Sequence, residues 1–320
     1  MRSRRALWAE EWRRIRPAVD AVVAIVAIVL VARYLSAVDG TGPNHRSYGE
    51  LLEYRVWAAL AATSLVVWVL LVGRTLHIAL RPLRDNDLPW SVRLQRGLAP
   101  LFMYGVVLWA LVLGAVPLAG IGLVDPLAPE LGHRAFLLVT AGVLAAGPPV
   151  VGMWQTYGRL RELSMAIAGR AGGWTPSRFL AELRETWRHA QRCLAVLSIL
   201  VALGTVLVGA FRNTLLAAGY TAKELPGSVV LLYGAFFTVL SLIVYVPLFI
   251  AWRSRVTDYI DRIYPLPDDG RPSEEWMAGR ARLLTLLGAD ITLARNLTAA
   301  AGILAPLATS VLAVFVPTTT

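Results

Sequence analysis

The stretch CLAVLSILVALGTVLVGAF, residues 193–211, runs between Arg192 and Arg212 without one charged side chain. Wound as a helix at 1.5 Å per residue it spans about 28 Å, close to the roughly 30 Å hydrocarbon core of a bilayer. Apolar residues occupy every side of such a helix, so no face is prepared for water. Outward from this segment the chain keeps the same character. Hydrophobic residues make up 57% of its 320 residues and charged ones 16%, with a mean hydropathy of +0.58. A soluble domain carries about 25% charged residues, and a chain this apolar cannot cover its own surface with polar groups. Lipid is the solvent that fits.

Six further stretches have the length and composition to cross a bilayer: residues near 18–38, 56–78, 98–124, 135–155, 227–251 and 297–316. The expected fold is therefore all-α, a polytopic membrane bundle of about seven transmembrane helices. The first stretch is too long for a cleaved signal peptide and reads as a signal anchor. The third carries Pro100 and Pro117, which favour a tilt or a kink.

Charge sets the orientation. Arginines number six in 1–16, five in 74–96, seven in 156–192 and seven in 253–296, whereas 33–55, 125–134 and 212–226 hold three, one and two basic residues. Basic loops stay on the cytoplasmic side, so the N-terminus is expected inside and the C-terminus outside. Of the 31 basic residues only Lys223 is a lysine. That bias reads as a bacterial genome rich in G and C, and the expected location is a bacterial inner membrane. Nucleic-acid binding is set aside, because the charges are dealt out between apolar spans.

The chain accordingly divides into an amphipathic N-terminal helix (1–17), spans one to four (18–155), a cytoplasmic helical segment (156–192), spans five and six (193–251), a second cytoplasmic helical segment (252–296) and the last span (297–316). In the first cytoplasmic segment Thr175 followed by Pro176 is a helix start, and Phe179, Leu180, Leu183 and Trp187 recur at helical spacing. That helix is expected on the membrane surface or against the bundle. In the second, Ser273 precedes Glu274 and Glu275, an N-cap with two acids at the positive end of the helix dipole. The absence of proline before Pro306 allows one rod from Glu274 into the last span, bent at Gly288.

Candidate functional residues are few. Membrane-embedded ionisable groups are costly, and Asp20, Arg33 and Arg212 are the candidates. Asp20 reads as a helix cap or a partner of Arg16, and the two arginines as snorkelling to headgroups. Pro148 and Pro149, inside AAGPPVVG, are expected to break the fourth span and free backbone carbonyls. In the last span Thr298, Gly302, Pro306 and Ser310 recur every fourth residue, with Ala301, Ala305 and Thr309 beside them. A small, weakly polar face of this kind packs closely on a neighbouring helix, with an oligomer contact or a pore lining as the alternatives.

No catalytic, cofactor or metal site emerges. His45, His77, His133 and His189 lie in unrelated segments with no paired spacing, and no nucleophile elbow or phosphate loop is present. The favoured expectation is a non-enzymatic membrane component, a scaffold, receptor-like or pore-forming subunit, acting with a cytoplasmic protein partner or with copies of itself. A channel or transporter for a small solute is the alternative. A lipid-modifying enzyme, with Arg159/Arg161 and Arg253/Arg255 on a phosphate headgroup, is the third.

Overall fold

The structure is a computed structural model of the 320-residue chain. It describes residues 24–38, 40–80, 102, 104–105, 129–167, 175–267, 270–289, 303–305 and 307–312. The described chain is all-α. Its helices are α1 (Ala24–Ser36), α2 (Leu52–Ala79), α3 (Pro129–Ile167), α4 (Pro176–Ala217), α5 (Ser228–Ile263), α6 (Glu274–Leu287) and α7 (Ile303–Leu312). A short 3-10 turn, Tyr48–Glu50, leads into α2. Four helices, α2 to α5, are long and apolar enough to cross a membrane. Of the 98–124 span only Phe102, Tyr104 and Gly105 are described, and all three are helical.

Local chemistry explains the helix ends. The Thr175 hydroxyl accepts the Arg178 N–H at 3.3 Å and Pro176 opens α4, so a capping side chain and a preset φ start the longest helix. At its far end Gly219 takes φ +103°, and the N–H groups of Gly219 and Tyr220 reach back to Leu216 and Leu215. Ser273 caps α6 through the Trp276 N–H at 3.2 Å. Gly288 closes α6 in the left-handed region, φ 73°, where a side chain is disfavoured. This corrects the expectation of a continuous rod: Ala289 N–H bonds Leu284 O at 2.8 Å, the six-residue return of a helix terminus, and α6 stops at Leu287.

Helices also run across the expected segment boundaries. The helix α4 crosses residues 192–193 unbroken, so the segment expected as cytoplasmic and the fifth span form one 42-residue helix. In the same way α3 runs to Ile167 and α5 to Ile263. The helix α3 continues through Pro148 and Pro149, where an interruption was expected. Each proline removes an N–H, leaving the Leu144 and Ala145 carbonyls without their usual donors. In that turn the Tyr104 hydroxyl donates to the Val143 carbonyl.

The helix α4 is the axis of the bundle and feeds both of its cores. One core joins Leu35, Tyr54, Trp57, Trp68, Leu131, Leu138, Leu200 and Leu215. The other joins Met153, Leu163, Phe179, Leu183, Trp187, Tyr245, Trp252 and Ile260. Three glycines of α3 act as notches for neighbouring side chains. An added Cβ would lie 3.0 Å from the Trp68 ring at Gly142, 2.9 Å from the Tyr104 ring at Gly147 and 2.8 Å from the Cys193 sulfur at Gly152. Small residues at such crossings let membrane helices approach closely. The outer surface is apolar, with Val69 71% and Leu232 72% exposed, a pattern that suits lipid and not water.

Candidate functional site

The two ends of the bundle are built differently. At one end, the strap end, residues 37–50 fold back over the α4 terminus. Asn44 donates from Nδ2 to Ala217 O at 3.1 Å and from its backbone N–H to Ala218 O at 3.3 Å. Gly42 lies so close that a Cβ there would meet Ala218 O at 2.3 Å. Arg134, at the start of α3, is buried and donates to Leu35 O at 2.7 Å and Ala37 O at 2.8 Å. It supplies the positive charge that the C-terminus of α1 favours. The Tyr54 hydroxyl also donates to Leu35 O. Burial pushes the Tyr48 hydroxyl pKa up from its ordinary value. On the exposed turn after α4, the Thr221 N–H and hydroxyl hold the Glu224 carboxylate at 2.7 and 2.9 Å and lower its pKa.

At the other end four helices meet. The outer parts of α3, α4 and α5, together with α6, form a platform. At 1.5 Å per residue α3, α4 and α5 measure about 58, 63 and 54 Å, against a hydrocarbon core of roughly 30 Å. The surplus length is braced by aromatic contacts. Trp187 of α4 stacks on Trp252 of α5 with centroids 4.1 Å apart and planes 14° apart, and Phe179 stacks on Tyr259 at 4.7 Å. The Tyr259 hydroxyl donates to Pro176 O at 3.0 Å. Ion pairs complete the brace: Arg159 of α3 with Glu182 of α4, and Arg280 of α6 with Asp261 of α5 at 2.7 Å. Trp276 Nε1 donates to Pro265 O at 3.0 Å and fixes the turn between α5 and α6.

The platform settles where the amphipathic helix of 175–192 lies. Phe179, Leu183 and Trp187 are buried against α5, so its apolar side faces the bundle. Two of the arginines considered for a phosphate headgroup are already engaged. Arg159 pairs with Glu182, and Arg255 pairs with Asp258 of its own helix at 2.7 Å.

The other candidates divide. Arg33 is exposed on α1, whereas Arg212 donates from Nε to Leu225 O at 2.8 Å and so ties α4 to the loop before α5. Ala305, Thr309 and Ser310 lie on α7. Ser310 is fully buried and donates to Leu307 O at 2.7 Å, and Thr309 donates to Ala305 O at 2.7 Å. Leu304, Val311 and Leu312 are exposed on the same helix. Thr298, Ala301, Gly302, Pro306 and Asp20 lie outside the described residues.

Three buried hydroxyls of α4 are satisfied by their own helix, whereas the buried Thr238 hydroxyl of α5 has no hydrogen-bond partner among the described residues. Ser198, Thr205 and Thr214 of α4 donate to Leu194, Val201 and Ala210, each one turn back. Among the described residues no group of His, Cys, Asp or Glu is arranged to hold a metal ion. What the arrangement offers is a charge-rich surface fixed to helices long and apolar enough to cross a membrane. No protein-family profile matches the chain, and no curated protein or solved structure does. The fold class is an all-α bundle with four membrane-length apolar helices.

Proposed function

We propose that the chain is a non-enzymatic subunit of the bacterial inner membrane, crossing it about seven times with its N-terminus inside, and that its platform docks a cytoplasmic protein. One observation carries this reading: α3, α4 and α5 continue well beyond their apolar stretches and are braced to one another by the Trp187–Trp252 stack and the Arg159–Glu182 ion pair, with α6 held to α5 by Arg280–Asp261. Loops that only reconnect membrane spans need two to eight residues. Folded helical surplus at one end, and tight straps at the other, suit a protein that acts from one face.

Arginine distribution supports the orientation. The platform end holds Arg159, Arg161, Arg178, Arg184, Arg188 and Arg192 on α3 and α4 and six more arginines from Arg253 to Arg282, whereas the strap end holds six basic residues, Arg33, Arg46, Arg55, Arg134, Arg212 and Lys223. On α6 the side chains of Glu274, Glu275 and Met277 are exposed and give the platform a mixed acidic and apolar patch.

The test is particle mass after extraction from native membranes into polymer nanodiscs, with no detergent step. The expected result is a defined added mass that is not a multiple of the 34.8 kDa chain, lost when Glu275→Lys and Met277→Glu are combined on α6. Particles of one chain, or of whole multiples of it, contradict the proposal.

A further inference from the structure

We propose that the platform end carries a binding site for the phosphate of an anionic phospholipid, made by Arg188 and Arg192 of α4 with Arg253 of α5. Three observations lead there. The first is a contrast in pairing. Arg159, Arg255 and Arg280 each have a carboxylate partner, whereas Arg188, Arg192 and Arg253 are exposed and take part in no ion pair among the described residues. Exposed guanidinium groups without an ion-pair partner among the described residues are available to a ligand.

The second is geometric. The antiparallel helices α4 and α5 are pinned at one level by the Trp187–Trp252 stack. In two antiparallel right-handed helices, the residues that come after a facing pair turn toward the same flank of the seam. Each step is 100° about its own axis, and the opposed chain directions bring the two rotations to one side. Arg188 comes directly after Trp187, and Arg253 directly after Trp252. Arg192 lies one turn further along α4 on the same exposed side as Arg188.

The third is depth. Arg192 directly precedes the uncharged stretch 193–211, and Arg253 directly succeeds the apolar run that ends at Trp252. The three guanidinium groups therefore sit where hydrocarbon ends and headgroups begin. Guanidinium is the donor best matched to a phosphate in planar, two-point contact.

Native mass spectrometry tests the site with purified full-length protein and dioleoyl phosphatidylglycerol, dioleoyl phosphatidylcholine or inorganic phosphate as the probe. We expect retention of phosphatidylglycerol in preference to phosphatidylcholine. Each of R188Q, R192Q and R253Q should weaken it roughly fivefold, consistent with the contribution of one basic residue near an anionic surface. R46Q, at the strap end, serves as control, and R253K should restore part of the loss. Equal retention of the two lipids overturns the proposal, as does a triple Gln variant that folds and still prefers phosphatidylglycerol. An equal loss in R46Q also overturns it. Inorganic phosphate that binds as tightly as the lipid overturns the lipid as the source.

Discussion

Trp187 and Trp252 face each other across the α4–α5 seam with ring centroids 4.1 Å apart, and both are buried. They lie at the level where the bundle passes from its apolar spans to the platform. Beside them Phe249 packs 5.9 Å from Trp187 and 6.2 Å from Trp252. If this contact locks the platform to the bundle, truncating either ring loosens both. Trp187→Ala and Trp252→Ala should each cost about 3–5 kcal/mol, with a coupling of about 0.5–1.5 kcal/mol in the double variant. Unfolding in bicelles measures all three, and strictly additive losses would show that the stack contributes nothing of its own.

The strap depends on a glycine for space. Gly42→Ala places a methyl group 2.3 Å from Ala218 O and must displace residues 40–47, so the thermal midpoint falls. Gly73 in α2 has nothing within 4 Å of its Cβ position. There the same substitution should raise helix stability by about 0.5–1 kcal/mol. The opposite signs of the two variants, read by thermal unfolding in one detergent, check the strap geometry.

Gly288 ends α6 by its left-handed turn. Gly288→Ala forces a side chain into φ 73° and should destabilise the helix end by about 1–2 kcal/mol. Amide exchange across residues 280–287 should quicken in that variant. Unchanged exchange would favour a continuous helix through this point.

Alkaline pH acts through Tyr48. Burial raises its pKa, so the folded protein keeps the phenol neutral above about pH 10, where the tyrosine of an unfolded chain ionises. Below that pH the folded and unfolded states bind the same proton and stability is unaffected by this group. Above it the unfolded state gains, and stability falls. Tyr48→Phe should flatten that part of the alkaline decline in thermal midpoint, while an unchanged slope would contradict the assignment.

Features set by neighbouring residues were legible in the sequence. Thr175 with Pro176, and Ser273 with Glu274, start helices as expected because a cap is satisfied within three residues. The apolar stretches at 56–78, 135–155 and 193–212 fall inside α2 to α4, and 227–251 begins one residue before α5, because an apolar run of this length is written directly in the sequence. Contacts between distant residues were not legible. AAGPPVVG suggested a broken span through its prolines, yet its glycines receive Tyr104 and Cys193, side chains from other parts of the chain. The periodicity of Phe179, Leu183 and Trp187 showed an apolar face without naming α5 as its partner. Arg212 read as a headgroup contact, whereas the Leu225 carbonyl, brought near by the turn after α4, takes its Nε–H. The rod beyond Glu274 failed at Gly288, since a sequence free of proline still ends a helix where a glycine adopts a left-handed turn.

Everything proposed for the platform requires the two ends of the bundle to face opposite compartments. Cys193 is the one cysteine, and Cys193→Ser gives a background for single cysteines at Lys223 on the strap end and Glu275 on α6. Both positions are exposed. A membrane-impermeant maleimide applied to intact spheroplasts should label Lys223→Cys at once and Glu275→Cys only after permeabilisation. Labelling of Glu275→Cys from outside, or of both positions from one side, would contradict the account.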